Sequence, residues 1–150
     1  MANQSKYNHQ ESLIFLTNRI GRMLAAQMRK KKVLQQYDLM PQDIGLLVDL
    51  WSEDGFKQQD LAFSIIKDKA TITRMLDRLE EKNIVVRVPD AVDKRTKRIY
   101  LTNKGKQLEQ EVWPSAQEVV AHATSDISEN DLKVCKKVLF QIYQHLLPKE

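Results

Sequence analysis

KDKATITRMLDRLEEKNIVVRVPDAVDKRTKRIYLT, residues 67–102, divides into a helix, a stop, and two strands joined by a charged tip. Between Lys69 and Lys82 the apolar residues are Ile72, Met75, Leu76 and Leu79. That i, i+3, i+4, i+7 set lines one face of a helix. Ala70, Arg74, Asp77 and Glu81 fall on the opposite face, flanked by Thr73 and Arg78. Small and basic groups facing outward suit a helix that enters a groove, although a solvated amphipathic helix can carry the same pattern. Asp68 is placed to cap the start of this helix. Asn83 is placed to end it, because Asn tolerates the left-handed backbone that a helix C-terminus needs. Ile84–Val88 and Lys97–Leu101 are rich in β-branched and aromatic residues and read as paired strands. The tip between them, Pro89–Thr96, carries Asp90, Asp93, Lys94 and Arg95.

A helix followed by a hairpin with a basic tip is the layout of a winged helix, and here the chain resembles the MarR family of bacterial transcription regulators. The family's pattern is a helix ending in Leu-Glu, a small stop residue, a short apolar strand, Pro-Asp, then Asp-x-Arg, then Leu-Thr-x-x-Gly. This chain has Leu79-Glu80, Asn83, Ile84-Val85, Pro89-Asp90, Asp93-Lys94-Arg95 and Leu101-Thr102-Asn103-Lys104-Gly105 in the same order. Asn83 stands where the family usually has Gly, and Met40 where it usually has Ser or Thr before the proline. Upstream, Gln58-Gln59-Asp60-Leu61-Ala62 resembles the first helix of the family's helix-turn-helix, with Ile65–Asp68 as the turn.

Both readings lead to one fold class: mainly α with a small β-hairpin wing, a winged helix-turn-helix with long terminal helices. A single domain over about residues 9–148 is expected. Its DNA-binding lobe spans about 41–102, with the helix-turn-helix at about 57–82 and the wing at about 84–101. The terminal helices, about 11–36 and 103–147, carry more apolar stripe than one small lobe can cover, and such a patch signals an interface. The resemblance implies the same, since family members are two-fold dimers joined through these helices. A homodimer reading an inverted repeat in double-stranded DNA, with half-sites roughly 34 Å apart, is therefore expected.

Side-chain chemistry suggests the contacts. Thr71, Thr73, Arg74 and Arg78 should reach base edges or nearby phosphates, Arg being suited to bidentate contact with guanine. Lys67 and Lys69, at the helix entry, should meet phosphates. By resemblance, Arg95 enters the minor groove, Asp93 fixes the loop and pairs with an arginine, and Lys94, Lys97 and Arg98 contact the backbone. Charge distribution agrees with this placement. Residues 67–104 hold eleven basic side chains against six acidic ones, whereas residues 41–66 hold one against five. A solvated basic surface would give the same imbalance.

The remaining helices follow from periodicity. Leu13, Leu16, Ile20, Met23, Leu24 and Met28 recur at helical spacing from Glu11 to about Gln36, and Arg29–Lys32 reads as a solvated face. Pro41 to about Ser52 forms the next helix, with Ile44, Leu47, Val48 and Trp51 inward. Pro41 is tolerated in its first turn and Asp43 favours its dipole. Glu53–Gly55 is a turn, and Lys57 to about Ser64 a short helix packing through Leu61 and Ala62. Thr102 caps a helix to Ala123 that packs Leu108, Val112, Ala116, Val119 and Ala123, with Pro114 expected to kink it. The last helix, about Glu129–Leu147, is introduced by a weak capping box at Ser128–Asp131. It carries a stripe of Leu132, Cys135, Leu139, Ile142 and Leu146.

Other chemistry finds little support in the sequence. No apolar run approaches the roughly 18 residues of a membrane span. The polar opening MANQSKYNHQES shows no secretion signal. One cysteine permits no internal disulfide, so a reducing cytoplasm is expected. His9, His122 and His145 with Cys135 form no recognised ligand spacing, so no metal and no cofactor are expected. Cys135 reads as buried packing. The resemblance implies a small-molecule site, commonly for aromatic acids or phenols, between the dimer helices and the winged helix. A small aromatic effector is thus a further implied partner, and Met23, Gln27, Trp51 and Trp113 are its candidate lining, each equally readable as core. Enzymatic motifs are absent: there is no Gly-rich phosphate loop, nucleophile elbow or His-x-x-x-His helix. The expected function is a DNA-binding transcriptional regulator, most simply a repressor. A winged-helix interaction module without specific DNA binding, or an enzyme, remain the alternatives.

Overall fold

Short polar side chains set most helix boundaries. The computed structural model describes residues 8–64 and 67–147. Ser12 accepts the Phe15 N–H at the start of α1 (Leu13–Arg29). The helix expected to continue to Gln36 instead breaks at Lys31, whose backbone is extended, and resumes as α2 (Lys32–Gln36). Four consecutive cations, Arg29–Lys32, repel one another within one turn. The break turns Val33 and Leu34 into the core, while Lys31 reaches Glu118 at 2.5 Å.

In α3 (Pro41–Ser52), Asp43 replaces the missing side-chain cap. Its carboxylate accepts the Met40 N–H at 2.9 Å and is buried. The inward face differs from the expected one. Leu46, Leu47 and Leu50 are buried, whereas Val48 is 48% exposed and Ile44 and Trp51 are half-buried. Apolar residues lie on two sides of α3, and periodicity alone selected the side that faces a cleft.

Gly55, at φ +86°, turns the chain into β1 (Phe56–Lys57), a strand too short to leave a periodic signal. It is followed by α4 (Gln58–Ser64). Ile65 and Ile66 of the expected turn, and the side chain of Ala62, lie outside the described residues. As expected, α5 (Lys69–Glu81) is capped by Asp68, which accepts the Thr71 N–H at 2.9 Å. Asn83 is left-handed at φ +57°. It closes α5 with paired bonds, Ile84 N–H to the Leu79 carbonyl and Asn83 N–H to the Glu80 carbonyl, both 2.9 Å. β2 (Val85–Pro89) and β3 (Lys97–Leu101) pair antiparallel, Val85 opposite Leu101 and Pro89 opposite Lys97. β1 adds to the free edge of β3, so the expected two-stranded hairpin is a three-stranded sheet in the order β1-β3-β2.

Thr102 then caps α6 (Asn103–Ala123), accepting the Gly105 N–H at 3.1 Å and donating its hydroxyl to the Asn83 carbonyl at 2.6 Å. Gly105 is required here, because a Cβ would lie 2.2 Å from the Ile84 carbonyl oxygen. The helix continues through Pro114. Leu108, Val112 and Val119 are buried, but Ala123, expected to pack, is exposed beyond the end of the core. Ser128 caps α7 (Glu129–Leu146), accepting the Asp131 N–H at 3.1 Å.

The core sits in the winged-helix lobe and is completed by Leu34 of α2 and Leu108 of α6. Leu34, Leu46, Leu47, Leu50, Leu61, Ile72, Met75, Leu76, Leu79, Ile84, Ile99 and Leu108 are all fully buried. At about 1.5–3 kcal/mol per buried side chain, this lobe has a large hydrophobic driving force of its own. By contrast, no residue of α1 or α7 is buried. Ile14, Met23, Phe140 and Leu146 are each more than half exposed. Cys135, expected to be buried, is exposed as well, because α7 has no surface of its own lobe to cover it.

Candidate nucleic-acid interface

Lys67, Lys69, Thr73 and Arg74 are exposed along the start of α5 and its outer face. A short relay stiffens this end. The Asp68 carboxylate accepts both the N–H and the hydroxyl of Thr71, and Arg74 Nη2 donates to the Thr71 hydroxyl oxygen at 3.1 Å. The Thr71 hydroxyl, then its amide, hold the Asp68 pKa below its ordinary value. Thr73 is engaged within the protein, since its hydroxyl accepts from Gln58 Nε2 at 3.1 Å and donates to the Lys69 carbonyl.

Arg78 occupies a different position from the other cations. Its Nη2 lies 2.7 Å from Asp43 Oδ1, and the Asp43 side chain is only 2% exposed. The same carboxylate thus begins α3 and fixes α5, with Arg78 as its counter-charge. Arg78 lies roughly 60° from Met75 and roughly 40° from Arg74, at the boundary between the apolar stripe and the outer face, within reach of the core edge. That offset is the signal for its role.

The wing loop is closed from within. Asp90 N–H donates to the Thr96 carbonyl and Thr96 N–H to the Asp93 carbonyl, both at 2.9 Å. Asp90 is 7% exposed, and its carboxylate accepts the Val92 and Asp93 N–H groups at 2.9 and 3.0 Å and the Arg98 Nε–H. The Asp93 amide, then Arg98 and the Val92 amide, hold the Asp90 carboxyl down to about 2. Arg98, expected on the DNA backbone, instead locks the wing to β1 through its Asp90 bond and the Gly55 carbonyl at 2.9 Å. Asp93 fixes the loop through the Arg95 N–H and the Thr96 hydroxyl. The arginine pairing expected of Asp93 belongs to Asp90. Lys94, Arg95 and Lys97 remain exposed and engage no acid among the described residues.

Arg87 joins helix to wing and was missed in the sequence. Its guanidinium meets Glu80 at 2.6 Å, Asp77 at 2.7 Å, the Thr73 carbonyl at 3.2 Å and Gln58 Oε1 at 3.3 Å. The Arg87 side chain is only 17% exposed. Strand alternation carried the signal, because Arg87 shares the face of buried Val85 and an inward charge must be paired. Between α5 and the wing lies a cleft of about 240 Å³ edged by Lys69, Arg95 and Lys97, with Gln58 and Gln59 beneath.

A second cleft, about 230 Å³, separates α3 from α6. Ile44, Val48 and Trp51 face Val112, Trp113 and Ala116 across it. Of the four candidate effector-site residues, Trp51 and Trp113 meet here, while Met23 and Gln27 lie exposed on α1 and line neither cleft. Read as core, Met23, Gln27 and Trp113 fail equally, since all three are exposed. Trp51 is anchored by its indole N–H, which donates to the Gly105 carbonyl at 2.9 Å. Among the described residues no His, Cys, Asp and Glu cluster could hold a metal, and no helix is long and apolar enough to cross a membrane.

Comparison with known proteins agrees with this geometry. The model of the MarR family matches residues 39–97, from the start of α3 to the return strand of the wing. Residues 39–97 thus carry the MarR-family likeness. Among relatives, an HTH-type transcriptional regulator of Bacillus subtilis, YsmB, is 26% identical over 131 residues, covering 86% of this chain and 89% of that protein. Two solved MarR-like structures superpose over nearly their whole length. CouR from Rhodococcus jostii, bound to p-coumaroyl-CoA, has TM-score 0.78 and 22% identity, covering 95% of this chain and 99% of its own. MepR of S. aureus, solved as a DNA complex, has TM-score 0.74 and 26% identity, covering 90% and 98%. The match to the family model ends before α6 and lies within the lobe that carries α5 and the wing.

Proposed function

We propose that this MarR-like protein regulates transcription by binding an inverted-repeat operator in double-stranded DNA as a homodimer. It acts in the cytoplasm, without a catalytic role, and represses by occluding a promoter. The observation that carries this reading is the placement of exposed cations on both sides of one cleft, Lys69 on α5 and Arg95 and Lys97 on the wing, with Arg74 and Lys94 also exposed on these two elements. Within it, Arg74 and Thr71 meet base edges, Lys67, Lys69, Lys94 and Lys97 meet phosphates, and Arg95 enters the minor groove. Thr73, Arg78, Asp93 and Arg98 hold these groups in position. Unburied α1 and α7 support the dimer, because so much exposed apolar surface favours a second copy as its cover.

A small aromatic effector that releases the DNA completes the proposal. The tryptophan-lined cleft between α3 and α6 supports it, as does the aromatic acyl thioester held by CouR. Binding to the duplex flanking the protein's own coding region, measured at several salt concentrations, tests the central claim. Wild type should bind tightly as a dimer, weaken steeply with salt, and lose most affinity in Arg95→Ala. No preference over random duplex at low salt would remove that region as the operator. Wild-type affinity in Arg95→Ala would remove the wing from the contact.

A further inference from the structure

Val92 stands on the wing loop with 95% of its surface open, the most exposed large apolar side chain among the described residues. A single exposed valine is ordinary on a surface. The backbone beneath this one is not ordinary. Its N–H and that of Asp93 are both held by the buried Asp90 carboxylate, and two further backbone bonds at 2.9 Å close the loop on either side. Arg98, tied to Asp90 and to the Gly55 carbonyl, anchors the loop to the sheet. The Val92 side chain is therefore presented at a fixed point before any partner arrives, and little ordering remains to oppose its burial. Lys94 and Arg95, both exposed, share this loop.

We infer that Val92 makes an apolar contact with the deoxyribose walls of the minor groove, beside the phosphate and groove contacts of the wing cations. The inference rests on the duplex-binding function proposed above. The side chain offers no donor or acceptor, so it reads the groove's width and not its base edges. A branched three-carbon group is too short to wedge between base pairs as larger residues do, but it fills a narrow A·T-rich groove, where both walls lie close. Val92 thereby favours A·T pairs under the wing without touching them by hydrogen bonds.

The test uses the full-length protein and a library of duplexes with a randomised centre. Sites are selected with wild type, and affinities are then measured for wild type, Val92→Ala, Val92→Thr and Arg95→Ala. Val92→Ala and the equally shaped Val92→Thr should each bind the selected site about five- to tenfold more weakly. Both should keep the wild-type salt dependence, since no counterion release is lost, whereas Arg95→Ala should flatten it. The A·T preference under the wing should fade in both Val92 variants. Thermal melting should be unchanged, because the side chain packs on nothing. Equal binding by wild type and the Val92 variants would overturn this inference and leave the regulator reading intact. Wild-type affinity in Val92→Thr alone would show a contact of shape without apolar character, and would also overturn it. Failure of wild type to enrich any site would overturn the regulator reading itself, and this inference with it.

Discussion

Gly45 and Gly105 both sit in helices, and a methyl group should affect them in opposite directions. Around Gly45 there is open space within 4 Å of an added Cβ, so Gly45→Ala should stabilise the protein by about 0.5–1 kcal/mol through helix propensity. At Gly105 the same methyl meets the Ile84 carbonyl at 2.2 Å, where backbone has to move, and a loss of about 1–3 kcal/mol is expected. Urea denaturation of the two variants checks the contrast. Asp90 gives a pH signature at the same scale. Its folded-state pKa, about 2, lies below the ordinary 3.8. The stabilising form is the carboxylate, so its contribution is complete above about pH 4 and is lost as pH falls through about 2. The difference in stability between wild type and Asp90→Asn should therefore shrink over that window, as followed by circular dichroism.

Among elements, α5 and the wing behave as one piece because Arg87 and Arg98 bridge them to their surroundings. Arg87→Ala should lower stability by about 1–3 kcal/mol, the lower end being favoured because Asp77 and Glu80 can turn to water. Duplex affinity should fall by more than that loss predicts, since the two freed acids would face phosphate. Comparing melting with DNA titration separates the effects. Much of this level was legible in the sequence. The stripe of α5, its caps at Asp68 and Asn83, both wing strands and the Thr102 cap all follow from local rules of spacing and backbone preference. What escaped was tertiary. β1 is too short to have a period, α3 has two apolar sides, and four like charges at Arg29–Lys32 split one periodic helix in two. The roles of Arg78, Arg87 and Arg98 depend on acids 35, 10 and 8 residues away that only the fold brings near.

At the scale of the whole molecule, α1 and α7 leave apolar side chains that the winged-helix lobe does not bury, and these are the surfaces the proposed dimer would cover. Leu139→Asp, on the stripe of α7, should yield a monomer in sedimentation while the lobe keeps its melting transition, since no residue of α7 contributes to the core. Folding also decides how many cations DNA can meet. Of the eleven bases in residues 67–104, Arg78, Lys82, Arg87 and Arg98 are paired with acids, and Lys104 donates to the Lys82 carbonyl. Six remain: Lys67, Lys69, Arg74, Lys94, Arg95 and Lys97. The slope of log affinity against log salt should accordingly stay within about −5 per protomer. A steeper slope would mean that basic residues elsewhere, such as those of Arg29–Lys32, also lie on the duplex.

Arg87 has a last consequence. Residues 69–81 alone contain three bases, Lys69, Arg74 and Arg78, and three acids, Asp77, Glu80 and Glu81. Excised as a peptide, that segment would carry no net charge and feel no net pull toward a polyanion. Two of the acids are silenced only once β2 brings Arg87 against them. The outward polarity of α5 is thus set in part by assembly of the lobe, and the excised helix should be drawn to the double helix less than the folded lobe is.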